Sequence, residues 1–459
     1  MIKPSGSAPV MHPLPWSVSA EQWLARVRHL GLPVLLSSGS STHDAARFDI
    51  IVADPDVVLR AGDEGVMVEW PASGQTRLES GSPFEVLARY CPLLANGAYL
   101  SDCDLPFSGG AIGYFGYELL HGRNHIDRSD KPKLELPDML VGIYPWAIVR
   151  DRQREQCVLV LRDVAPERSR RLLDLLAIEG QEAGEFRLRG SFVSNFSRDA
   201  YLQRFARVID YIHAGDCYQV NLAQCFSAAC EGDSWTAFLR LQERANAPFA
   251  AFIEDGEQAV LSFSPERFLK VEQLEVLSQP IKGTRPRSDD AATDLANRID
   301  LETSTKDRAE NLMIVDLLRN DLGRVCRFGS VGVERLFETQ SFTNVHHLVS
   351  TITGQLESAA DVFPLLEAGF PGGSITGTPK LRAMEIINEL ETMPRSVYCG
   401  AIAWVDVSGN MDSNICIRTL VREKDRIHCW GGGGLVADSD GPSEYQETFD
   451  KISFLIDNL

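Results

Sequence analysis

Several features that are common in membrane and secreted proteins are absent from this sequence. No run of about twenty apolar residues occurs, which excludes a helical membrane span. Residues 1–19 are proline-rich and interrupted by polar residues, unlike a signal peptide. The ten cysteines include no Cys-x-x-Cys pair, so we expect reduced, mostly buried thiols in a cytoplasmic protein.

Positive charge is also scarce. The chain has 45 lysines and arginines against 64 aspartates and glutamates, a formal net charge of −19. Such a surface repels nucleic acid and anionic lipid, so neither nucleic acid nor a membrane is expected as a partner. A small anionic substrate is not excluded, because the charge inside a site can differ from the net charge.

What is present is ordinary globular composition, 44% hydrophobic and 24% charged. A polar stretch at residues 179–197 predicts a boundary between an N-terminal lobe, residues 1–185, and a C-terminal domain, residues 190–459. Strands and helices come in blocks rather than in strict alternation, which favours an α+β fold. Three β-rich runs within residues 397–436 predict one antiparallel meander.

The last predicted helix carries a charged face. Glu444, Glu447 and Lys451 follow one another at helical spacing, so their side chains share one side of the helix. A solvated face with weak salt bridges is the commoner outcome of such spacing. The run Gly431–Gly434 just upstream favours a binding site, because exposed backbone N–H groups suit a carboxylate.

Capping signals predict where three helices begin. They are Ser443 with Gln446, Ser304 with Asp307, and Thr378 before Pro379. The last pair ends a loop rich in glycine and hydroxyl groups. Such a loop at a helix start is an anion site in principle, although it lacks the Walker pattern of nucleotide sites.

Glu310 is predicted to lie on the core-facing side of the second of these helices, residues 305–320. A carboxylate in that position is costly unless it is paired or binds a metal. A salt bridge to Arg319 or Arg324 is one interpretation. If Glu310 instead converges with Glu447, the two carboxylates make a hard oxygen site that suits Mg²⁺.

Lys282 lies between two prolines in the segment QPIKGTRPR. A solvated basic loop is the common fate of such a lysine. To act as a nucleophile, it would need its pKa lowered from about 10.4 by burial or by nearby cations. Arg285 and Arg287 are the cations that the sequence places nearby.

His346 and His347 lie in a predicted strand, residues 342–352. Alternation along a strand sends the two side chains to opposite faces, so at most one of them points into a given site. That one could act as an acid or base. A buried histidine bonded to a neighbour is the default interpretation.

Six motifs occur in one order: GDCYQVNL, SPERF, PIKGTRPR, DRAENLMIVDLLRNDLGRV, PGGSITGTPKLRAMEIINELE and YQETFDK. Together they resemble the chorismate-utilising enzymes, a family that includes anthranilate, aminodeoxychorismate, isochorismate and salicylate synthases. The resemblance covers nearly the whole chain and is strongest over residues 201–459. It implies two large antiparallel β-sheets packed together with helices outside, and a Mg²⁺-dependent site for chorismate.

The resemblance also implies roles for individual residues. The catalytic groups would be Lys282, Glu266 and His347. The metal ligands would be Glu310 and Glu447, with Glu444 close by. The substrate-binding groups would be Gly283, Thr284, Ser374, Arg418, Gly432, Gly433, Gly434 and Lys451.

Two positions separate the branches of this family. Lys282 in PIKGT resembles the aminodeoxychorismate synthases, which aminate chorismate at C4, whereas anthranilate synthases usually carry alanine there. Gln219 stands where isochorismate and salicylate synthases usually place the lysine that activates water, and a neutral amide cannot be that base. Anthranilate synthase component I is the alternative within the family.

The resemblance raises the question of where ammonia comes from. The chain contains no recognisable glutaminase segment, neither a nucleophile-elbow cysteine nor a downstream His-x-Glu. We therefore expect a separate glutamine amidotransferase subunit as the donor, or free ammonia.

A segment of the N-terminal half resembles the tryptophan pocket of this family. The implied pocket residues are Ser38, Arg47, Tyr218, Pro248 and Phe249. Ser37 replaces the glutamate that usually precedes the pocket serine in anthranilate synthases, so a structural tryptophan is as compatible with the sequence as a feedback inhibitor. A non-catalytic tryptophan-binding subunit is a rival interpretation, against which the acidic metal residues argue.

Overall fold

The computed structural model describes residues 8–39, 46–94, 104–127, 130–180, 182–245, 247–341 and 345–459. Within these residues the chain forms two antiparallel sheets, one of 13 strands and one of 12. The expected α+β architecture of two large antiparallel sheets with helices outside is therefore confirmed.

The larger sheet draws strands from the whole length of the chain. It contains β1 (Val10–Leu14), β2 (Val34–Ser37), β3 (Phe48–Val52), β9 (Trp146–Asp151), β10 (Gln156–Leu161), β11 (Phe186–Leu188), β12 (Val193–Ser194), β13 (Gln219–Gly232), β14 (Phe249–Asp255), β15 (Gln258–Ser264), β21 (Gly377–Thr378), β24 (Thr419–Glu423) and β25 (Arg426–Leu435). In space, β2 pairs with β14, and β13 pairs with β25.

The smaller sheet is assembled in the same way. It contains β4 (Val57–Gly62), β5 (Gly65–Trp70), β6 (Gln75–Glu79), β7 (Gly110–Phe115), β8 (Met139–Tyr144), β16 (Arg267–Glu272), β17 (Glu275–Ser278), β18 (Ile281–Pro286), β19 (Gly332–Ser341), β20 (Val345–Gln355), β22 (Ala401–Asp406) and β23 (Met411–Ile415). Here β7 from the N-terminal half pairs with β22 from the C-terminal half.

Ten α-helices accompany the sheets within the described residues. They are α1 (Ala20–Val27), α2 (Pro83–Tyr90), α3 (Pro166–Leu176), α4 (Arg198–Ala214), α5 (Ser234–Ala245), α6 (Ala291–Thr303), α7 (Thr305–Gly323), α8 (Val362–Gly369), α9 (Lys380–Leu390) and α10 (Gly441–Ile456). None of these helices is both long enough and apolar enough to cross a membrane.

The predicted lobes, residues 1–185 and 190–459, each contribute strands to both sheets. In the polar stretch at residues 179–197, the described residues form the short strands β11 and β12, which pair with β13. The division into two domains remains a prediction, and it describes the order of the two segments along the chain. In space the strands of the two segments are interleaved.

Two hydrophobic cores follow from the alternation of side chains along the larger sheet. On β14, Ala251 and Ile253 belong to a core that also contains residues of the smaller sheet. Phe252, between them, points to the opposite face and joins a second core with residues of α1, α5 and α10. Successive side chains of a strand point to opposite faces of the sheet, so a strand covered on both faces contributes alternate residues to two cores.

The predicted single meander at residues 397–436 is wrong. Its first hairpin, β22–β23, lies in the smaller sheet, and its second, β24–β25, lies in the larger one. The chain crosses between the sheets just after Ile415, and Arg418 at the crossing has a positive φ of 51°. A residue with positive φ cannot continue a β-strand, so the β-rich run that contains Arg418 does not form the single strand that was predicted.

Two of the three predicted helix starts need correction. The side chain of Ser304 caps α7 as expected, accepting a hydrogen bond from the Asp307 amide at 3.2 Å. Helix α10 begins earlier than predicted because Asp440, not Ser443, caps it. Helix α9 begins after Pro379, since the preceding residue pairs with β13 as part of β21 and is therefore extended.

The second core generates a stability prediction. Phe252 is fully buried, with ring centroids 4.9 Å from Trp235 and 5.4 Å from Phe238. Phe252→Ala should lower the free energy of unfolding by about 3–5 kcal/mol, because the lost ring leaves a cavity that the sheet cannot close. Phe328 is fully exposed, so Phe328→Ala should change the free energy of unfolding by less than about 0.5 kcal/mol. Denaturant titration of both variants tests this, and equal effects would contradict the assignment of the core.

Candidate active site

A pocket of about 630 Å³ gathers side chains from both sheets and from α7 and α10. Of the residues predicted from the sequence, those lining it are Glu266, Lys282, Gly283, Thr284, Glu310, His347, Ser374, Arg418, Gly432, Gly434, Glu444, Glu447 and Lys451. Further lining residues, which the sequence reasoning did not identify, are Asn221, Lys306, Asp307, Ile417, Tyr398 and Trp430. Asn221 could have been found, because it stands two residues after Gln219 on the same face of β13.

Lys282 points into the pocket from β18. The pairing of β18 with β20 shifts register between Ile281 and Thr284, and such a bulge re-aims side chains. Gly283 in the bulge has a φ of +87°, and a Cβ there would lie 2.9 Å from the Asp307 Cβ, so the position requires glycine. The bulge therefore explains how a lysine from an otherwise regular strand reaches the pocket.

Burial lowers the pKa of the Lys282 amine. The carboxylate of Glu266 opposes this shift, and the ammonium of Lys451 adds to it. The amine donates a hydrogen bond to the main-chain oxygen of Ser374 at 3.0 Å. A larger fraction of Lys282 is thus neutral than of an exposed lysine, which a nucleophilic role requires.

The expectation that Arg285 and Arg287 supply the nearby positive charge is wrong. Arg285 forms ion pairs with Asp300 and Asp307, and Arg287 pairs with Asp294. Arg285 does line the pocket, but carboxylates of the protein neutralise both guanidinium groups. The cation that acts on Lys282 comes instead from α10, far along the chain.

Glu266 is the acidic counterpart of Lys282. Its side chain is buried, and this burial raises the pKa of its carboxyl group, while the charge of Lys282 and a hydrogen bond from Ser374 oppose the rise. The Ser374 hydroxyl donates to Glu266 Oε1 at 3.0 Å. Burial thus disfavours the charged form of both groups, and the attraction between them opposes both shifts.

The two histidines lie on opposite faces of β20, as predicted. His347 lines the pocket, and its Nδ1 lies 2.8 Å from the Thr284 hydroxyl. His346 is buried on the other face, bonded to Ser341 at 2.8 Å and to Asp294 at 3.1 Å. Only His347 is placed to contact a molecule in the pocket.

Helix α10 forms the opposite wall. Lys451 pairs with Glu447 at 2.6 Å and donates to the Gly432 oxygen at 2.8 Å. The carboxyl of Glu444 accepts a bond from Ser439 at 2.7 Å, and burial raises its pKa. These contacts hold the charged face of α10 over the glycine run.

The glycine run lies within β25 and has one open edge. Strand β24 pairs with β25 only as far as Cys429, so no strand among the described residues pairs with the glycine run on that side. On the other side the run pairs with β13, where Gly434 lies opposite Asn221. The predicted amide contacts to a carboxylate can thus come from this open edge.

A divalent cation fits the acidic end of the pocket. A Cβ added at Gly433 would lie 2.9 Å from Glu444 Oε2 and 3.3 Å from Glu447 Oε1, so both carboxylates point over the same backbone. Burial raises the pKa of Glu310, and the charge of Glu447 adds to the rise. Arg319, one of the two salt-bridge partners that the sequence suggested for Glu310, is paired with Asp316 instead.

Among the described residues, no three His, Cys, Asp or Glu side chains converge closely enough to form a complete metal cage. Mg²⁺ does not require one, because it is usually bound through one or two carboxylates and keeps waters or substrate oxygens as its other ligands. The carboxylates that line the pocket therefore fit this ion, and Glu310 and Glu447 are the groups that could hold it.

Arg418 supplies a cation at the crossing between the sheets. It lines the pocket, and none of the ion pairs between described residues includes it. Desolvation lowers the pKa of its guanidinium. A desolvated guanidinium without a protein carboxylate is well suited to bind the carboxylate of a ligand.

The predicted tryptophan pocket is only partly assembled. Ser38, Pro248 and Phe249 line a separate cavity of about 90 Å³, and the Ser38 hydroxyl donates to the Pro248 oxygen at 3.2 Å. Arg47 instead pairs with acidic side chains and stacks on Phe48, with its guanidinium 4.4 Å from the ring centroid. Tyr218 is 71% exposed and is not among the residues lining this cavity.

The fold and the pocket together define an enzyme site for a small anionic molecule, with a buried amine and acid, a free guanidinium and carboxylates for a divalent cation. Residues 41–457 match the family model of the chorismate binding enzymes, and the chain belongs to this family.

Characterised relatives cover almost the whole chain. It is 46% identical over 442 residues to the aminodeoxychorismate synthase component 1 of Escherichia coli strain K12, covering 96% of each protein. It is 34% identical to the anthranilate synthase component 1 of Pseudomonas aeruginosa, covering 91% of this chain and 88% of that protein. The crystal structure of anthranilate synthase component I from Streptococcus pneumoniae TIGR4 superposes with a TM-score of 0.76 at 29% identity, over 90% of this chain and 92% of that one.

The electrostatics of the pocket generate a titration prediction. In protein with ¹³C-methylated lysines, the NMR signal of Lys282 should titrate below the usual 10.5. Glu266→Gln should lower this pKa further, because it removes a negative charge that stabilises the ammonium form. Lys451→Met should raise it, because it removes a competing positive charge. Lys282→Arg identifies the signal by its loss, and an upward shift in Glu266→Gln would contradict the coupling.

Proposed function

We propose that this protein aminates chorismate at C4 with ammonia to give 4-amino-4-deoxychorismate, the precursor of 4-aminobenzoate in folate synthesis. One observation carries the proposal: Lys282 of the PIKGT motif enters the pocket as a buried amine of lowered pKa beside Glu266, a buried acid of raised pKa. The identity of 46% to an aminodeoxychorismate synthase component, against 34% to an anthranilate synthase component, supports the same branch.

In the first step, the neutral amine of Lys282 attacks C2 of the ring. The two ring double bonds move, and the bond between C4 and its hydroxyl breaks. The acid of Glu266 gives its proton to the departing oxygen, which leaves as water. A protonated carboxyl is needed for this, and burial, which raises the pKa of Glu266, favours that form.

In the second step, ammonia forms a bond to C4. The double bonds return, the bond between C2 and the lysine nitrogen breaks, and Lys282 is regenerated. Covalent catalysis thereby divides one difficult substitution into two easier ones. His347, held by Thr284 at 2.8 Å, is the group we propose to move protons at the rim of the pocket.

The substrate carboxylates are proposed to bind at Arg418, at Lys451 and at the amides of the glycine run, Gly432–Gly434. The hydroxyl groups of Ser374 and Thr284 provide further hydrogen bonds. Glu310 and Glu447 would hold Mg²⁺, with Glu444 next to them. When bound, the ion would neutralise the charge of a substrate carboxylate.

Ammonia is proposed to come from a glutamine amidotransferase subunit. In water at neutral pH ammonia is mostly protonated, and its ammonium form is not a nucleophile. A partner that releases ammonia directly to the pocket avoids this loss. The name of the relative, component 1, agrees with a second component.

Tryptophan is the proposed ligand of the smaller cavity at Ser38, Pro248 and Phe249. Ser37 stands where anthranilate synthases usually have glutamate. Its hydroxyl donates to the buried Asp49 at 3.0 Å and accepts from Gln242 Nε2 and from the Gly39 amide, both at 3.1 Å, so no acceptor site is left for an amino group. A structural ligand is more consistent with this arrangement than an exchanging inhibitor.

The decisive experiment is product analysis. The purified chain with chorismate, Mg²⁺ and ammonium salts at high pH should form 4-amino-4-deoxychorismate, with no anthranilate and no pyruvate, as followed by chromatography. Glutamine should replace the ammonium salt only when a glutaminase subunit is added.

Three outcomes would contradict the proposal. Release of pyruvate in step with loss of chorismate would assign the chain to anthranilate synthesis. Turnover with glutamine by the chain alone would show that it contains its own glutaminase site. Absence of any turnover would favour the rival view of a binding subunit.

Covalent catalysis predicts a large effect at one lysine. Lys282→Ala should reduce kcat by at least about 10²-fold, because it removes the nucleophile, while any residual rate keeps its Mg²⁺ dependence. Lys270 pairs with Glu272 at 2.6 Å outside the pocket, so Lys270→Ala should leave kcat unchanged. A Lys282→Ala variant with the original rate would rule out the covalent step.

A further inference from the structure

Arg395 is a buried cation that the proposed mechanism does not use. Its side chain is 1% exposed, and it pairs with Glu391, which is 4% exposed. Two bonds join the pair, from Nε to Oε2 at 2.9 Å and from Nη2 to Oε1 at 2.6 Å. A buried ion pair contributes little net stability, because desolvation offsets the attraction. Its other contacts therefore indicate what it does.

The guanidinium of Arg395 also binds two segments that line the pocket. Nη1 donates to the main-chain oxygen of Ile375 at 2.9 Å, and Nη2 donates to the main-chain oxygen of Asn221 at 2.7 Å. The ring centroid of Tyr398, another lining residue, lies 5.9 Å from the guanidinium carbon. One rigid, planar group thus connects a loop, a strand and an aromatic wall of the same pocket.

The partner carboxylate extends this connection. Glu391 Oε1 also accepts a hydrogen bond from the Ala223 amide on β13 at 2.8 Å. The Arg395 amide itself is held by Glu118 at 2.7 Å. The pair is thus fixed from several sides.

The bond to Ile375 is the one nearest the chemistry. The next residue back along the chain is Ser374. Its main-chain oxygen accepts a hydrogen bond from the Lys282 amine, and its hydroxyl donates one to Glu266. A shift of this loop would therefore move the amine and the acid at the same time.

We propose that Arg395, held by Glu391, is a positioning residue that fixes the Ser374 loop against β13 and so sets the geometry between Lys282 and Glu266. This inference rests on the proposed function. None of these hydrogen bonds joins Arg395 to Arg418, to Lys451 or to the glycine run. Its loss should therefore affect the chemical step more than the binding of chorismate.

The test compares two arginine-to-lysine variants. An ammonium group keeps the charge beside Glu391, but it cannot donate to Ile375, Asn221 and both carboxylate oxygens in the planar fork of a guanidinium. Arg395→Lys should lower kcat by about 10- to 100-fold, because small displacements of reacting groups are costly, with the KM for chorismate within about threefold of the original.

Arg204 provides the matched control. It is partly buried, donates to the Leu390 and Ala200 oxygens at 2.8 and 2.9 Å, and stacks on Phe196. It does not line the pocket. Arg204→Lys should leave both kcat and KM unchanged.

The outcomes separate the inference from the function on which it rests. A folded Arg395→Lys variant with the original kcat, or with only KM raised, would overturn the positioning role. If this variant does not fold, Glu391→Gln, which keeps the size of the side chain, is measured instead; unchanged kcat there would overturn it, and a lowered kcat with unchanged KM would support it. A wild-type protein that does not aminate chorismate would reject the proposed function itself.

Discussion

Ser374 links the two groups on which the proposed chemistry of this pocket depends. Its main-chain oxygen accepts the Lys282 amine, and its hydroxyl donates to the Glu266 carboxyl. Burial lowers the pKa of the first group and raises that of the second. Much of the surrounding structure serves this arrangement: a bulge in β18 aims the lysine, and a buried arginine secures the loop that carries Ser374.

The interleaving of the two sheets explains why the pocket has several chemically different walls. Lys282 comes from the smaller sheet, the glycine run from the larger one, and three of the acidic residues, Glu310, Glu444 and Glu447, from α7 and α10. The chain passes from one sheet to the other just before Arg418, which leaves this guanidinium at the junction. A pocket formed where two sheets meet can combine cations, acids and open backbone amides within one small volume.

The charge of the pocket differs from that of the whole protein. The chain carries a net charge of −19, yet Lys282, Lys451 and Arg418 all line the same cavity. The acidic residues near them include two whose pKa is raised by burial, Glu310 and Glu444, so their negative charge is costly without a cation. This balance is appropriate for an anionic substrate that binds together with Mg²⁺.

The sequence by itself determined the α+β class, the helices that carry Glu310 and Glu447, and the opposite orientation of His346 and His347, because these follow from local periodicity. Its long motifs also indicated the family. Only the tertiary structure decided that the C-terminal strands divide between two sheets, that Lys451 rather than Arg285 acts on Lys282, and that Arg395 secures the pocket. Ion pairs and burial join residues far apart in the chain, and no local pattern specifies which charged groups will meet.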